Sequence, residues 1–406
     1  MDRIQVPFGN REVCTRELGD ELTMRIVAQL TETVDPQKLR QLISGDQLVV
    51  SVDGLYSAHV SPHEDLERVV HSELGVIHGG FQRQRSIGTR ILQVRSDSIL
   101  VWGKVDGHPV GLWRLEQEES TFLAPIDRLF RSPSSLLRGV LDSRPDKHLV
   151  VTPWGNLWPV HDKALVTPFA DGLSVVEKLG GDLYAYELSE EGQIYPYQLL
   201  TLTDAECPVG IVHWWGRLML AVARGSQSWL VEINRRDRGE SPVRMQIDGD
   251  LHGVWASPGG RTLAMLVHPR GEPEDVRRLQ VDGGKVVYEG RFQVDPASIV
   301  WSPSENAFAI KIREGEGLDR VLYERIVGTD VSRRIRMGFH VRAFLLDDTG
   351  RVCAAIQHDG VYDQPVIAGR GGTRVPLAWN LHHTAEGAIR WTTVHADRIL
   401  TWTHGR

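Results

Sequence analysis

One pattern in this 406-residue chain limits its fold more than anything else: a strand–turn–strand phrase that returns about every 45 residues. Its clearest copy is GVWASPGGRTLAMLV, residues 253–267. Further copies are IVHWWGRLMLAVA at 211–223, IVWSPSENAFAIKI at 299–312 and FLLDDTGRVCAAI at 344–356. The turn positions Gly216, Gly260, Glu305 and Gly350 are separated by 44, 45 and 45 residues. A weaker phrase, VHADRILTWTH, places Asp397 at the same position 47 residues later. A fixed period of this length means one supersecondary unit copied along the chain.

Each unit reads as four strands. After Arg261, the apolar residues Leu263, Met265 and Val267 alternate, as a strand with one buried face requires. A polar turn, a second alternating run, the tight-turn signal Asp282-Gly283-Gly284 and a short last run follow. Four strands in about 45 residues is the signature of a β-propeller blade. Weaker copies occupy 95–116, 145–162 and 180–200, with Asp106-Gly107 and Glu191-Gly192 as inner turns. Complete blades are expected to begin near residues 90, 136, 173, 209, 252, 298 and 341.

The two ends of the chain complement each other. Residues 387–403 hold only two strands, and GDQLVVSVDGLYSAHV at 45–60 holds a hairpin around Asp53-Gly54. Sharing one blade between the termini would seal a ring and remove two open sheet edges. The expected fold is therefore all-β, a ring of eight four-stranded blades with seven or nine as alternatives, closed by N- and C-terminal strands. The division expected is an N-terminal extension, 1–89, and a propeller body, 90–406. Two short helices are expected in the extension. Asp35 and Pro36 open one over 35–43. Ser61, Pro62 and Glu64 form a capping-box pattern for the other over 61–75, with Leu66, Val69 and Val70 as its apolar stripe.

The phrases IVWSPSENAFAI and VWASPGGRTLAML resemble repeats of the TolB-type and WD40-type propeller superfamilies. The resemblance spans roughly residues 90–403 and is sharp from 209 to 357. It departs from WD40 repeats in lacking the Gly-His and Trp-Asp dipeptides, and no appended hydrolase domain is expected. The resemblance implies architecture, not chemistry. Stand-alone bacterial propellers of this kind are similar to accessory subunits of multi-protein systems, including NTPase-linked conflict systems.

Composition narrows the functions further. The net charge of −7 argues against binding driven by phosphate neutralisation, so nucleic acid is not an expected partner. No apolar run is long enough to span a membrane as a helix, and the first residues lack a signal-peptide core. The cysteines Cys14, Cys207 and Cys353 are scattered and form no CxxC pair, which fits reduced thiols in a cytoplasmic protein. GxxxxGK[ST], HExxH, GxSxG and EF-hand patterns are absent. Neither catalytic residues, nor a metal site, nor a cofactor is expected. His382-His383, His395, His404, His59 and His63 do not make a convergent ligand set on sequence grounds. The basic runs at 333–336 and 235–238 read as guards on outer strands.

Two groups of residues remain as candidate partner contacts. Trp214 and Trp215 occupy a turn where sister copies carry Pro258-Gly259 or Pro303-Ser304. Trp is enriched among interface hot spots. His252 and Arg342 share one repeat position at the start of an inner strand, with His340 and Arg390 assigned to nearby positions. The expected function is a non-enzymatic protein-interaction scaffold that docks a protein partner on one face. The alternative is an enzyme or small-ligand and anion binder with a site in a central channel.

Overall fold

The computed structural model describes residues 14–15, 22–30, 35–63, 66–82, 88–105, 107–131, 137–141, 144–152, 154, 156–169, 172–179, 182–189, 197–201, 206–224, 227–233, 244–282, 285–314, 319–336 and 340–405. Among these, the strands form eight antiparallel sheets. Most are four-stranded meanders in which each strand pairs with its sequence neighbour, over 48–82, 90–125, 128–161, 165–201, 207–247 and 340–371. One sheet has seven strands because Lys285–Trp301 runs on from the last strand of one meander into the first strand of the next. Counted as meanders, that sheet contributes two. The eighth sheet joins both ends of the chain: Leu22–Gln29 pairs with Arg398–His404 beside Ile389–His395 and Leu377–His383. The fold class is all-β, built from the four-stranded unit that the sequence period specifies.

The repeated phrase owes its regularity to one turn chemistry. Ser257 Oγ accepts hydrogen bonds from the amides of Arg261 (3.0 Å) and Thr262 (3.1 Å), and Gly260 N–H donates to Ser257 O (2.8 Å). Ser302 does the same for Ala307 and Glu305, and Asp347 for Arg351 and Gly350. Ser51 with Tyr56 and Gly54, and Thr384 with Ala388 and Gly387, repeat it again. The residue three places on has a left-handed backbone each time: Gly54, Gly260, Glu305, Gly350 and Gly387 have φ of 71°, 69°, 61°, 76° and 83°. A short hydroxyl or carboxylate before the turn mimics a backbone turn, and glycine takes the left-handed position without a Cβ clash. The C-terminal copy therefore turns at Gly387, not at Asp397, which lies in the next turn, between Ile389–His395 and Arg398–His404.

The chain divides into two compact units: residues 1–128, 339–345 and 352–406, and residues 129–338 with 346–351. In the first unit, the helix Pro36–Ser44 forms as expected, with Asp35 Oδ1 accepting from the amides of Gln37 (2.9 Å) and Lys38 (3.0 Å). It buries Leu39 against Leu48, Leu377, Val394 and Ile399.

Two expectations for the N-terminal region need correction. The described residues of the 61–75 segment are not helical: Ser57–His63 and Leu66–His71 are paired strands of the 48–82 sheet. Glu67, Val69 and His71 are buried while Leu66 is exposed, a period of two that overrides the local capping-box pattern. Val69 packs with Ala58, Val60 and Phe81, and buried Glu67 accepts from Thr89 N–H at 2.9 Å. An isolated helix of this length has little stability of its own, so sheet packing decides. The strand that completes the C-terminal sheet is Leu22–Gln29, and the 45–60 hairpin belongs to the separate 48–82 sheet.

In the second unit, apolar clusters form between successive meanders. Trp255 packs with Leu266, Phe292, Phe308 and Ile310. Val176, Leu183, Leu220 and Val222 form an equivalent cluster.

Candidate functional site

Along the second unit, successive first turns are fastened to one another. Trp215 N–H donates to Gly260 O at 2.6 Å. Glu305 reaches the preceding turn, accepting from Ser257 Oγ and Gly259 N–H, both at 2.5 Å. Asp348 Oδ1 accepts from Ser304 N–H at 3.0 Å. Four turns, at 214–217, 257–262, 302–307 and 347–351, thus form one latched edge. Glu305 is the informative exception in the repeat. It takes the left-handed position filled by glycine in its sister turns, at a cost of about 1 kcal/mol, and its carboxylate makes the latch.

Trp215 stands at one end of this edge. It is 66% exposed, with φ of 52°, and it follows Trp214, which ends the strand Cys207–Trp214. The two indoles have different roles. Trp214 packs against the Val212, Met219, Leu251 and Met265 cluster, with its indole N–H buried and lacking a hydrogen-bond partner. Trp215 points an apolar surface outward from a turn whose backbone is fixed.

His252 does not join them. It sits in a bulge between Leu251 and Gly253, at the start of Asp250–Ala256, whereas the latched turns lie at the far ends of the first strands. Its ring is 6.3 Å from that of His268. Burial, then the charges of Arg277 and His268, push its pKa down against the opposing pull of Asp250. His252 is therefore neutral at neutral pH.

His340, Arg342 and Arg390 belong to the first unit. His340 and Arg342 lie at the start of His340–Leu346. Arg342 Nη1 is 3.3 Å from the buried carboxylate of Asp363, which also receives His358 Nδ1 (2.9 Å) and Ala378 N–H (2.9 Å). Arg40 of the helix stands 3.8 Å from the same carboxylate and donates to Val361 O and Pro376 O. Arg390 is beside a turn instead: it pairs with His382 across the sheet, and its Nη1 donates to Asp53 O at 2.6 Å. It is thus at the opposite strand end from His340. Arg342 and Arg390 are engaged in holding sheets and the helix together. Sequence position alone could not reveal this, because both partners are distant in the chain.

Two arginines of the basic run at 333–336 are likewise engaged. Arg333 pairs with Glu324, and Arg334 lies over the Tyr288 ring at 5.6 Å. The run at 235–238 lies outside the described residues. Among the described residues, no three His, Cys, Asp or Glu side chains converge as a metal site, and no helix is long and apolar enough to cross a membrane.

No family model and no curated protein sequence matches the chain. Solved β-propeller structures do resemble it. An oligogalacturonate lyase in complex with manganese aligns at a TM-score of 0.42 and 11% identity, covering 89% of this chain and 98% of that one. The Dos1 propeller aligns at 0.42 and 11%, covering 76% and 90%. TolB from Acinetobacter baumannii aligns at 0.35 and 9%, covering 79% and 80%. Similarity at this level concerns architecture and carries no activity across.

Proposed function

We propose that this protein is a non-enzymatic interaction scaffold, and that the latched edge of its second unit docks a protein partner through Trp215. Closure of the meanders into a propeller ring, sealed by Leu22–Gln29, is part of the proposal, and the strand pairing of the two chain ends supports it. The observation that carries the reading is the exposed indole of Trp215 on a backbone fixed by its bond to Gly260 O. Burying an exposed area of order 150 Å² on such an indole contributes about 3–4 kcal/mol at 25 cal/mol per Å². That is the size of an interface hot spot. Little ordering entropy opposes it, because the turn is already in place.

Affinity purification from the native host tests the reading, with wild type and Trp215→Ala as paired baits. A partner held by wild type and reduced at least tenfold by the substitution is the expected result. NTPases of multi-protein systems are the first class to look for. Equal capture by both baits would remove Trp215 from the interface.

A further inference from the structure

At the other end of the same edge, still within the second unit, lies a pocket of about 170 Å³ between the hairpin turn at 326–332 and the turn at 347–351. Arg325, Ile326, Val331, Arg333, Gly350 and Arg351 line it, and its wall is almost entirely apolar. The arginines therefore contribute their methylenes more than their guanidinium groups.

Their charges are already answered. Arg333 Nε (2.9 Å) and Nη2 (2.7 Å) both donate to Glu324 Oε2. Arg325 donates to Thr329 O and stands 3.5 Å from the Asp330 carboxylate. Arg351 lies in the field of Asp347, whose carboxylate also accepts from its amide at 2.9 Å. The walls are in place before anything binds. Ile326 N–H donates to Val331 O (3.1 Å), Val331 N–H to Thr329 Oγ1 (3.1 Å) and Val327 N–H to Asn306 O (2.7 Å). Across the pocket, Asp348 ties the 347–351 turn to Ser304. Gly350 lets that turn close against the hairpin, since a Cβ there would meet Ala307 Cβ at 2.7 Å and Ile326 Cγ1 at 3.3 Å.

Val331 nevertheless stays 52% exposed. A preformed apolar hollow whose charges are paired gains little from an ion and much from carbon that displaces water. Its 170 Å³ slightly exceeds the roughly 150 Å³ of an apolar cavity that takes up a benzene ring. It falls short of the roughly 300–1,000 Å³ of small-molecule sites. We propose that this pocket receives one apolar side chain of phenylalanine size from the docked partner protein. The proposal rests on the docking reading: Trp215 and Val331 stand at the two ends of one latched edge, so a partner that covers the edge meets both.

Methyl NMR titration with N-acetylphenylalaninamide and N-acetylalaninamide reads the pocket directly. In wild type the phenyl probe should shift the Ile326 and Val331 methyls saturably. It should bind about tenfold more tightly than the alanyl probe, the factor expected from burying one phenyl group. Val331→Asp should abolish the Ile326 shift, and as a bait it should hold the partner at least tenfold less than wild type. Val331→Ile, which keeps the wall apolar, should retain both. Trp215→Ala should change probe affinity less than twofold. Equal affinity for the two probes would overturn the proposal, and so would full partner capture by Val331→Asp. Loss of capture with Trp215→Ala but not with Val331→Asp removes the pocket and leaves the docking reading standing. The reverse pattern keeps the pocket and removes Trp215.

Discussion

His59 gives a prediction whose size follows from burial alone. It lies in Ser57–His63, is 7% exposed, and neither ring nitrogen has a hydrogen-bond partner. Burial lowers its pKa from 6.5 to about 4. In the unfolded chain His59 takes up a proton below pH 6.5, while the folded protein resists protonation until about pH 4. Its contribution to stability is therefore fully present above pH 6.5, falls as the pH drops, and levels off below about 4. The limiting loss is about 3 kcal/mol at 1.36 kcal/mol per pH unit, and about 2 kcal/mol is already lost at pH 5. His59→Leu conserves volume roughly and removes no hydrogen bond. Urea unfolding of both proteins at pH 7.5 and pH 5.0, with hydrogen exchange of the 48–82 sheet, checks the difference. Wild type should lose about 2 kcal/mol more than His59→Leu between the two pH values. Equal losses, or a His59 that titrates near 6.5, would refute the reasoning.

Other outcomes follow from the latches and the buried carboxylate. Glu305→Ala should destabilise by about 1–2 kcal/mol, since it removes two hydrogen bonds to a charged acceptor. Glu305→Gly should cost about 1 kcal/mol less, because glycine tolerates the left-handed backbone. Thermal unfolding gives that order. Asp363→Asn leaves Arg342 and Arg40 facing a neutral group, so a loss of about 3–5 kcal/mol is expected. Faster hydrogen exchange of the Pro36–Ser44 helix, which Arg40 anchors, should accompany it.

The sequence made the repeat legible because turn chemistry is local. Ser257, Ser302 and Asp347 carry their caps within five residues, so the motif and its period could be read directly. The same caps at Ser51 and Thr384 lie in turns whose flanking strands depart further from the repeated phrase. The 61–75 segment departs from its local signal for the opposite reason: a genuine helix pattern loses to strand partners at 57–63 and 75–82. Candidate residues divided along the same line. Trp215 is visible in the sequence as a break in the repeat, whereas Glu305 stands there only as one turn position among glycines, and its role as a latch depends on a turn nearly fifty residues away. Arg342 and Arg390 looked available only because Asp363 and Asp53 O come from other parts of the chain.

Photo-crosslinking tests the docking claim most directly. p-Benzoylphenylalanine would replace Trp215 in one protein and Val286, also exposed, in another. Irradiation in the native host should join residue 215 to one discrete partner and leave residue 286 unlinked. No adduct at 215, or the same adducts at both positions, would contradict the account.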